Sequence, residues 1–344
     1  MTTGIGAIAF ALGLASCNDV VGWDNLPKRA PPPTSSNVRV TTATLSAEHT
    51  CAIVEGDGSA RCWGRNVKGQ LGSGDVDQHL TPVAVMNLKN VATIETGLLH
   101  TCATDQDHAV WCWGSNKYAA LGRGTIDDDA HGVPERLSSV RDAAKVHCGM
   151  NFSCAETLSK TASCWGTNDF GQLGDGTQKT TYLPKPIVSL HDVVSLSTGS
   201  QHACAVATND KNEKGVFCWG LNDHGQLGHA NVQLMAEPTI VPDTATATKV
   251  FAGDAHTCAI FDTGAVSCWG ANDEGQLGYE ASADNPQPKA VAGLTGIESL
   301  GIGTKHTCAQ KGSSLYCWGS NARGQLGVDP ARVNRQTAPR LVDA

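Results

Sequence analysis

Twelve cysteines recur in pairs along this chain, most of them in step with histidines, and these are the side chains best suited to covalent or metal chemistry. The pairs are Cys51 and Cys62, Cys102 and Cys112, Cys154 and Cys164, Cys204 and Cys218, Cys258 and Cys268, and Cys308 and Cys317. His49, His100, His202, His256 and His306 each precede a first cysteine by two residues, whereas the third unit has Phe152 at that place. Imidazole and thiolate are zinc ligands, so His-x-Cys with a second cysteine about ten residues on could assemble a metal site. The changing separations and the missing histidine favour disulfides with a packing histidine, and no metal or cofactor is expected.

Cys148 stands outside the pairs, next to His147. A thiol beside an imidazole suggests a nucleophile, but neighbours on a strand point to opposite faces, so a spare thiol is the better reading. Asp127-Asp128-Asp129, with Asp75 and Asp77 in the matching segment of the preceding unit, could meet a cation or a basic partner surface. The competing reading is a solvated acidic loop. The sequence offers no Ser, His and Asp set with distinctive spacing, no phosphate-binding Gly-Lys-Ser or Gly-Lys-Thr loop and no HExxH. No enzymatic activity is expected.

The elements that must position these cysteines repeat as well. Cys-Trp-Gly begins at Cys62, Cys112, Cys164, Cys218, Cys268 and Cys317, and the fifth copy runs Cys268-Trp269-Gly270-Ala271-Asn272-Asp273-Glu274-Gly275-Gln276-Leu277-Gly278. Trp supplies an apolar anchor, and the glycines permit backbone angles that side chains forbid. In the first unit His49 to Val54, the turn Glu55-Gly56-Asp57-Gly58 and the return through Ala60 to Trp63 read as a hairpin. Pairing Val54 with Ser59 sets Cys51 opposite Cys62, within disulfide range. The same register survives a three-residue loop in the fifth unit, a two-residue loop in the sixth and a longer tip at 209–214 in the fourth. After each turn comes a strand entered by proline, such as Pro82-Val83-Ala84-Val85, as suits an edge strand. Another strand, such as 91–97, leads to the next unit.

Four strands per unit, a period near fifty residues and no helical periodicity predict an all-β propeller of six blades, with seven the alternative. The C-terminal stretch 337–342 is expected to complete the blade that Val38 begins, so that the N- and C-terminal strands close the ring. The predicted domains are a signal segment at 1–17, a Pro-rich tether at 18–37 that includes Pro31-Pro32-Pro33, and the propeller at 38–344. A net charge of -8 over 344 residues gives no electrostatic basis for holding nucleic acid or anionic lipid. Fourteen cysteines suit an oxidising compartment. The short apolar run 5–15 ends in Leu14-Ala15-Ser16-Cys17, which resembles a bacterial lipobox and implies export with lipidation of Cys17.

The His-Thr-Cys strands and the Trp-Gly-x-Asn-x-x-Gly-Gln-Leu-Gly turns are similar to those of the regulator of chromosome condensation repeat family. That resemblance covers about residue 38 to the C-terminus. It implies a propeller, typically of seven blades, in a family that includes nucleotide-exchange factors, ubiquitin-ligase subunits, a photoreceptor and a bacterial β-lactamase inhibitor. Here the second unit departs at Ala119-Ala120, which replace Gly-Gln, and the third at Phe152 and Cys148. The expected function is therefore a non-enzymatic propeller, exported and lipid-anchored to the envelope or secreted. It would be a monomer that binds an unknown protein partner through its variable loops, touching membrane only through its lipid and binding no nucleic acid. Those loops are 73–81, 123–133, 175–183, 209–214, 229–237, 279–287 and 328–338. Guanine-nucleotide exchange and inhibition of an extracellular enzyme are the alternatives.

Overall fold

Burial is nearly continuous along the second strand of each unit, where the first cysteine lies, so this strand and the next form an interior hairpin, and two flanking strands complete a four-stranded antiparallel sheet. The computed structural model describes residues 11–14, 40–46 and 48–342. Blade one consists of Val40–Leu45, His49–Val54, Ala60–Gly64 and His79–Ala84. Blade two follows with Val91–Thr96, His100–Asp105, Val110–Ser115 and Ala130–Leu137, and blade three with Ala143–Cys148, Phe152–Thr157, Ala162–Gly166 and Thr181–Pro186. Blade four is Leu190–Thr198, His202–Asn209, Lys214–Leu221 and Leu234–Ile240, and blade five is Ala247–Ala252, His256–Phe261, Val266–Gly270 and Asn285–Ala290. Ser299–Ile302, His306–Lys311, Ser314–Ser320 and Arg335–Leu341 form blade six. The six sheets stand in a ring, and the protein is a six-bladed all-β propeller.

Cysteine faces cysteine in every hairpin, and all six pairs are disulfide-bonded with Cα atoms 4.1 to 4.2 Å apart. The bonds close sequence separations of 9 to 14 residues, each stabilising by about 2 to 3 kcal/mol in the chain-entropy model. The outermost strands begin several residues before their prolines, at His79 for Pro82 and Asn285 for Pro288. They lie at the rim, where a missing N–H leaves no ladder bond unmade.

The expected closure of the ring by its two chain ends is not what forms. The last strand pairs within blade six, with Cys317 opposite Arg340 and Tyr316 opposite Leu341. Cys62 and Val83 pair in the same way in blade one. The turn after Cys-Trp-Gly returns the chain to its own sheet in every unit, and the last unit obeys that local rule too. A fifth strand, Ala11–Leu14, adds to blade one parallel to Val40–Leu45 and also lies against Ser299–Ile302 of blade six. Cys17 and the stretch 18–37 lie outside the described residues.

The core sits between blades. Trp113, Trp165, Trp219, Trp269 and Trp318 are fully buried, and each belongs to the apolar cluster that joins its blade to the preceding one. Each indole Nε1 donates to a backbone carbonyl of the preceding blade's turn: Gln70, Ala120, Gln172, Gln226 and Gln276, at 2.8 to 2.9 Å. The final turn glycine makes room for it: a Cβ on Gly72 would sit 2.8 Å from Trp113 Nε1, and one on Gly174 2.8 Å from Trp219 Nε1. Trp63, the sixth copy, is only partly buried, and among the described residues its Nε1 has no hydrogen-bond partner. Among the described residues, the cluster of Cys308, Cys317 and Leu326 correspondingly contains none of blade one.

Five working interfaces and one seam give unequal tryptophans. Trp269→Phe leaves the Gln226 carbonyl one donor short and is expected to lower stability by about 1 to 3 kcal/mol, whereas Trp63→Phe should stay within about 0.5 kcal/mol. Denaturant titration of both variants measures this, and equal losses would contradict it.

Candidate functional site

Each interblade joint is a relay of polar groups built around the same carbonyl. Thr101 Oγ1 donates to the Gln70 carbonyl at 2.8 Å, so toward His49 Nε2, 2.7 Å away, it acts as acceptor. The pattern recurs as His100 with Ser153 and Ala120, His202 with Thr257 and Gln226, and His256 with Thr307 and Gln276. Blade three breaks it twice in a compensating way. Phe152 has no ring N–H to give, and Ala203, its counterpart on blade four, has no hydroxyl to receive one; both are fully buried in one apolar cluster. Burial drives the pKa of His49 and His256 down to about 3 and of His100, His202 and His306 to about 4. These rings are neutral structural donors.

The turns that carry the loops are fixed by two side-chain amides. Asn66, Asn168, Asn222, Asn272 and Asn321 each accept through Oδ1 from the backbone N–H of the motif leucine five residues on. The glutamine accepts from the residue two before it, as Lys68 N–H to Gln70 Oε1 and Glu274 N–H to Gln276 Oε1. In blade two Ala120 cannot do this, Ala119 takes the left-handed φ of 59°, and Asn116 Oδ1 is buried without a partner. That turn keeps the shape without the bonds.

On these turns the loops project from one face of the ring, because every blade runs up and down and joins its third and fourth strands at the same end. Six of the seven variable loops lie there. The seventh, 209–214, joins the second and third strands of blade four and therefore points from the opposite face.

The acidic residues of this face divide into two kinds. Asp75 Oδ1 accepts from Asn66 Nδ2 at 2.8 Å and from Ser73 Oγ at 3.0 Å, and it meets His79 Nε2 at 3.1 Å. Asp127 meets Asn116 Nδ2 at 2.9 Å and His131 Nε2 at 2.7 Å. Burial alone would raise both carboxyls, yet these hydrogen bonds hold them below the ordinary carboxylate range. Both serve their own loops. Asp128 reaches Lys68 of blade one at 2.7 Å, and that bond lowers its pKa. Asp77 and Asp129 are exposed, and beside them stand the exposed apolar side chains Val67, Val76, Leu80, Tyr118 and Ile126.

The inner strands enclose a central channel of about 530 Å³. Its charged quadrant was not visible in the sequence motifs: Glu95 pairs with Lys145 at 3.1 Å, and His147 Nε2 stands 3.8 Å from Glu156 Oε1. Burial opposes the Lys145 charge, but Glu95 holds its pKa above the ordinary value. Lys145 stands where blades one, two, four and six carry Thr42, Thr93, Ser195 and Ser299, and that difference was the available signal. Cys148 Sγ donates to the Glu95 carbonyl at 3.6 Å, on the side toward blade two, while His147 turns to Glu156. Burial and the Glu95 charge push the Cys148 thiol well above its ordinary pKa, which disfavours the thiolate. His100, Cys102 and Cys148 cluster closely, but Cys102 is bonded to Cys112 and has no thiolate to offer a metal.

A family model described as the regulator of chromosome condensation (RCC1) repeat matches residues 57–104, 107–155, 164–206, 214–260 and 263–310. The chain belongs to this RCC1-repeat family. It is similar to the E3 ubiquitin-protein ligase HERC2 of Mus musculus, 33% identical over 230 residues that make up 64% of this chain and 5% of the ligase. To the ultraviolet-B receptor UVR8 of Arabidopsis thaliana it is 30% identical over 224 residues, 63% of this chain and 50% of the receptor. The chain thus spans half or less of these relatives. Among solved structures, human WBSCR16 shares the fold with a TM-score of 0.79 at 20% identity, covering 97% of this chain and 92% of that one. Yeast RCC1 (Prp20), solved bound to Kap60, gives 0.76 at 19% identity, covering 89% and 75%.

The buried imidazoles of this RCC1-repeat propeller set its acid response. An unfolded histidine takes up a proton near pH 6.5 and these folded ones only near pH 3 to 4, so the unfolded chain binds more protons within that window. Stability therefore falls as pH drops from 6.5 toward 4, by roughly 2 kcal/mol per fully buried ring at pH 5. Combining His256→Phe with Thr307→Ala copies the Phe152 and Ala203 joint and should flatten the dependence of Tm on pH across this window. An unchanged slope would contradict the assignment.

Proposed function

We propose that this RCC1-repeat propeller is a non-enzymatic protein-binding platform whose contact surface is the loop face of blades one and two. The observation that carries this reading is the joining there of exposed Val67, Val76, Leu80, Tyr118 and Ile126 with the outward carboxylates of Asp77 and Asp129. Apolar side chains beside unpaired charge on a rigid frame suit a partner that presents apolar and basic groups together. A relative supports a protein partner: yeast RCC1 (Prp20) was solved bound to Kap60 and has binding properties toward Gsp1p and histones. The raised pKa of the half-buried Cys148 thiol, which disfavours its thiolate, argues against a nucleophilic role.

The cysteines support a reading of the place of action. Six disulfides in one ring suit an oxidising compartment, and the Leu14-Ala15-Ser16-Cys17 sequence suits lipidation of Cys17 after export. We read the protein as lipid-anchored to a bacterial envelope, with inhibition of an extracellular enzyme as one form the binding could take.

Capture of envelope proteins by the intact anchored chain tests the surface. Exchanging loops 73–81 and 123–133 for those of blade five should abolish capture of a specific partner, whereas altering 279–287 should leave it intact. Retention through every exchange would end the proposal. Independently, radiolabelled palmitate should enter the chain in its own cells and be lost in Cys17→Ala; label retained in that variant would contradict the anchor.

A further inference from the structure

The channel wall formed by blades two to five carries polar groups that neither the joints nor the loop face use. Register places Glu95, His147, Ser197 and Phe251 at one level, each opposite the first cysteine of its own blade. Lys145 and Ser195 stand two residues earlier on the same strands as His147 and Ser197, and all six residues line the channel. Two atoms of this wall are orphaned. His147 is only 6% exposed, and among the described residues neither its Nε2 nor the buried Oε2 of Glu156 has a hydrogen-bond partner. His147 Nε2 stands 3.8 Å from Glu156 Oε1, too far for a direct hydrogen bond. Buried polar atoms left unpaired are destabilising, so the place calls for an added group.

The surroundings select the chemistry of that group. It must donate to a carboxylate oxygen, which only accepts, and also satisfy an imidazole nitrogen. An ammonium would lie beside Lys145, which pairs with Glu95 at 3.1 Å and opposes Glu156 in the sheet, and an anion would meet both carboxylates. A neutral hydroxyl fits, because it donates to Glu156 and accepts from His147. Blade four offers further contacts of the same kind: Ser195 Oγ accepts from Val250 N–H at 3.2 Å and Ser197 Oγ from Ala252 N–H at 3.0 Å, so each serine keeps its hydroxyl proton to give. Phe251, at the level of His147, supplies an apolar surface for carbon-bound hydrogens. We propose that this wall binds a neutral polyhydroxyl compound of mono- to disaccharide size, with one hydroxyl seated between His147 and Glu156 and others on Ser195 and Ser197. The channel volume of about 530 Å³ falls in the range of small-molecule pockets. The strand Ala11–Leu14 lies against blades one and six, away from the wall of blades three and four. The site uses none of the variable loops and so stands apart from the loop-face reading.

Isothermal titration calorimetry of the full chain tests the site, with glucose, N-acetylglucosamine, maltose and cellobiose as neutral probes and putrescine and inorganic phosphate as charged ones. At least one of the sugars should bind at a single site per chain, and neither charged probe should. Glu156→Gln should weaken that sugar by about tenfold, and Ser197→Ala by about threefold, whereas Asp77→Ala on the loop face should leave its affinity unchanged. Should Glu156→Gln fail to fold, the Ser197→Ala result decides. Failure of all four sugars to bind would overturn the proposal and leave only water between His147 and Glu156. Sugar binding that neither Glu156→Gln nor Ser197→Ala weakens, or binding of putrescine or phosphate in place of the sugars, would overturn it as well.

Discussion

A single buried carbonyl per joint organises the ring. It accepts an indole N–H and, at four of the five formed joints, a hydroxyl from the next blade, and it satisfies both donors away from water. Buried donors left unpaired are destabilising by more than a formed bond contributes, so this carbonyl fixes where the next blade can stand. Other features follow from it. The turn glycine must lack a Cβ so that the indole can approach, and the glutamine amide must hold the turn so that its own carbonyl points outward. The histidine, kept neutral by burial, must carry its proton on Nε2 so that the hydroxyl has a donor at its back.

Within a blade a different constraint operates. The disulfide joins directly opposed residues of the hairpin, so it fixes register, and a one-residue slip would send the motif tryptophan to the wrong face. The tip loops vary in length without touching that register, which is why blade four tolerates its long turn at 209–214. The division between a stapled hairpin and a polar joint lets blade three exchange His and Thr for Phe152 and Ala203 as a matched pair. Neither side is then left with an orphaned group.

The hairpins, their disulfide register and the number of blades were legible in the sequence because a repeated motif with opposed cysteines encodes them locally. Placement of the last strand was misread: ring closure is a global expectation, whereas residues 335–341 follow the local rule that returns each chain segment to its own sheet. Nor could the seam be read, since Trp63 and Trp269 sit in the same motif and differ only in what the neighbouring blade supplies. Of the acidic candidates, Asp75 and Asp127 turned inward because their partners, Asn66 and Asn116, lie nine and eleven residues away across a turn. Glu95, Lys145 and Glu156 belong to no motif: Lys145 and Glu156 oppose one another within blade three, and the convergence of the inner strands adds Glu95.

Hydrogen exchange of the tryptophan indole N–H groups, followed by NMR in the full chain, bears most directly on the carbonyl joints. Slow exchange is expected at Trp113, Trp165, Trp219, Trp269 and Trp318, each sealed against its carbonyl, and fast exchange at Trp63. Equal protection at all six motif indoles, or fast exchange at the five, would contradict it.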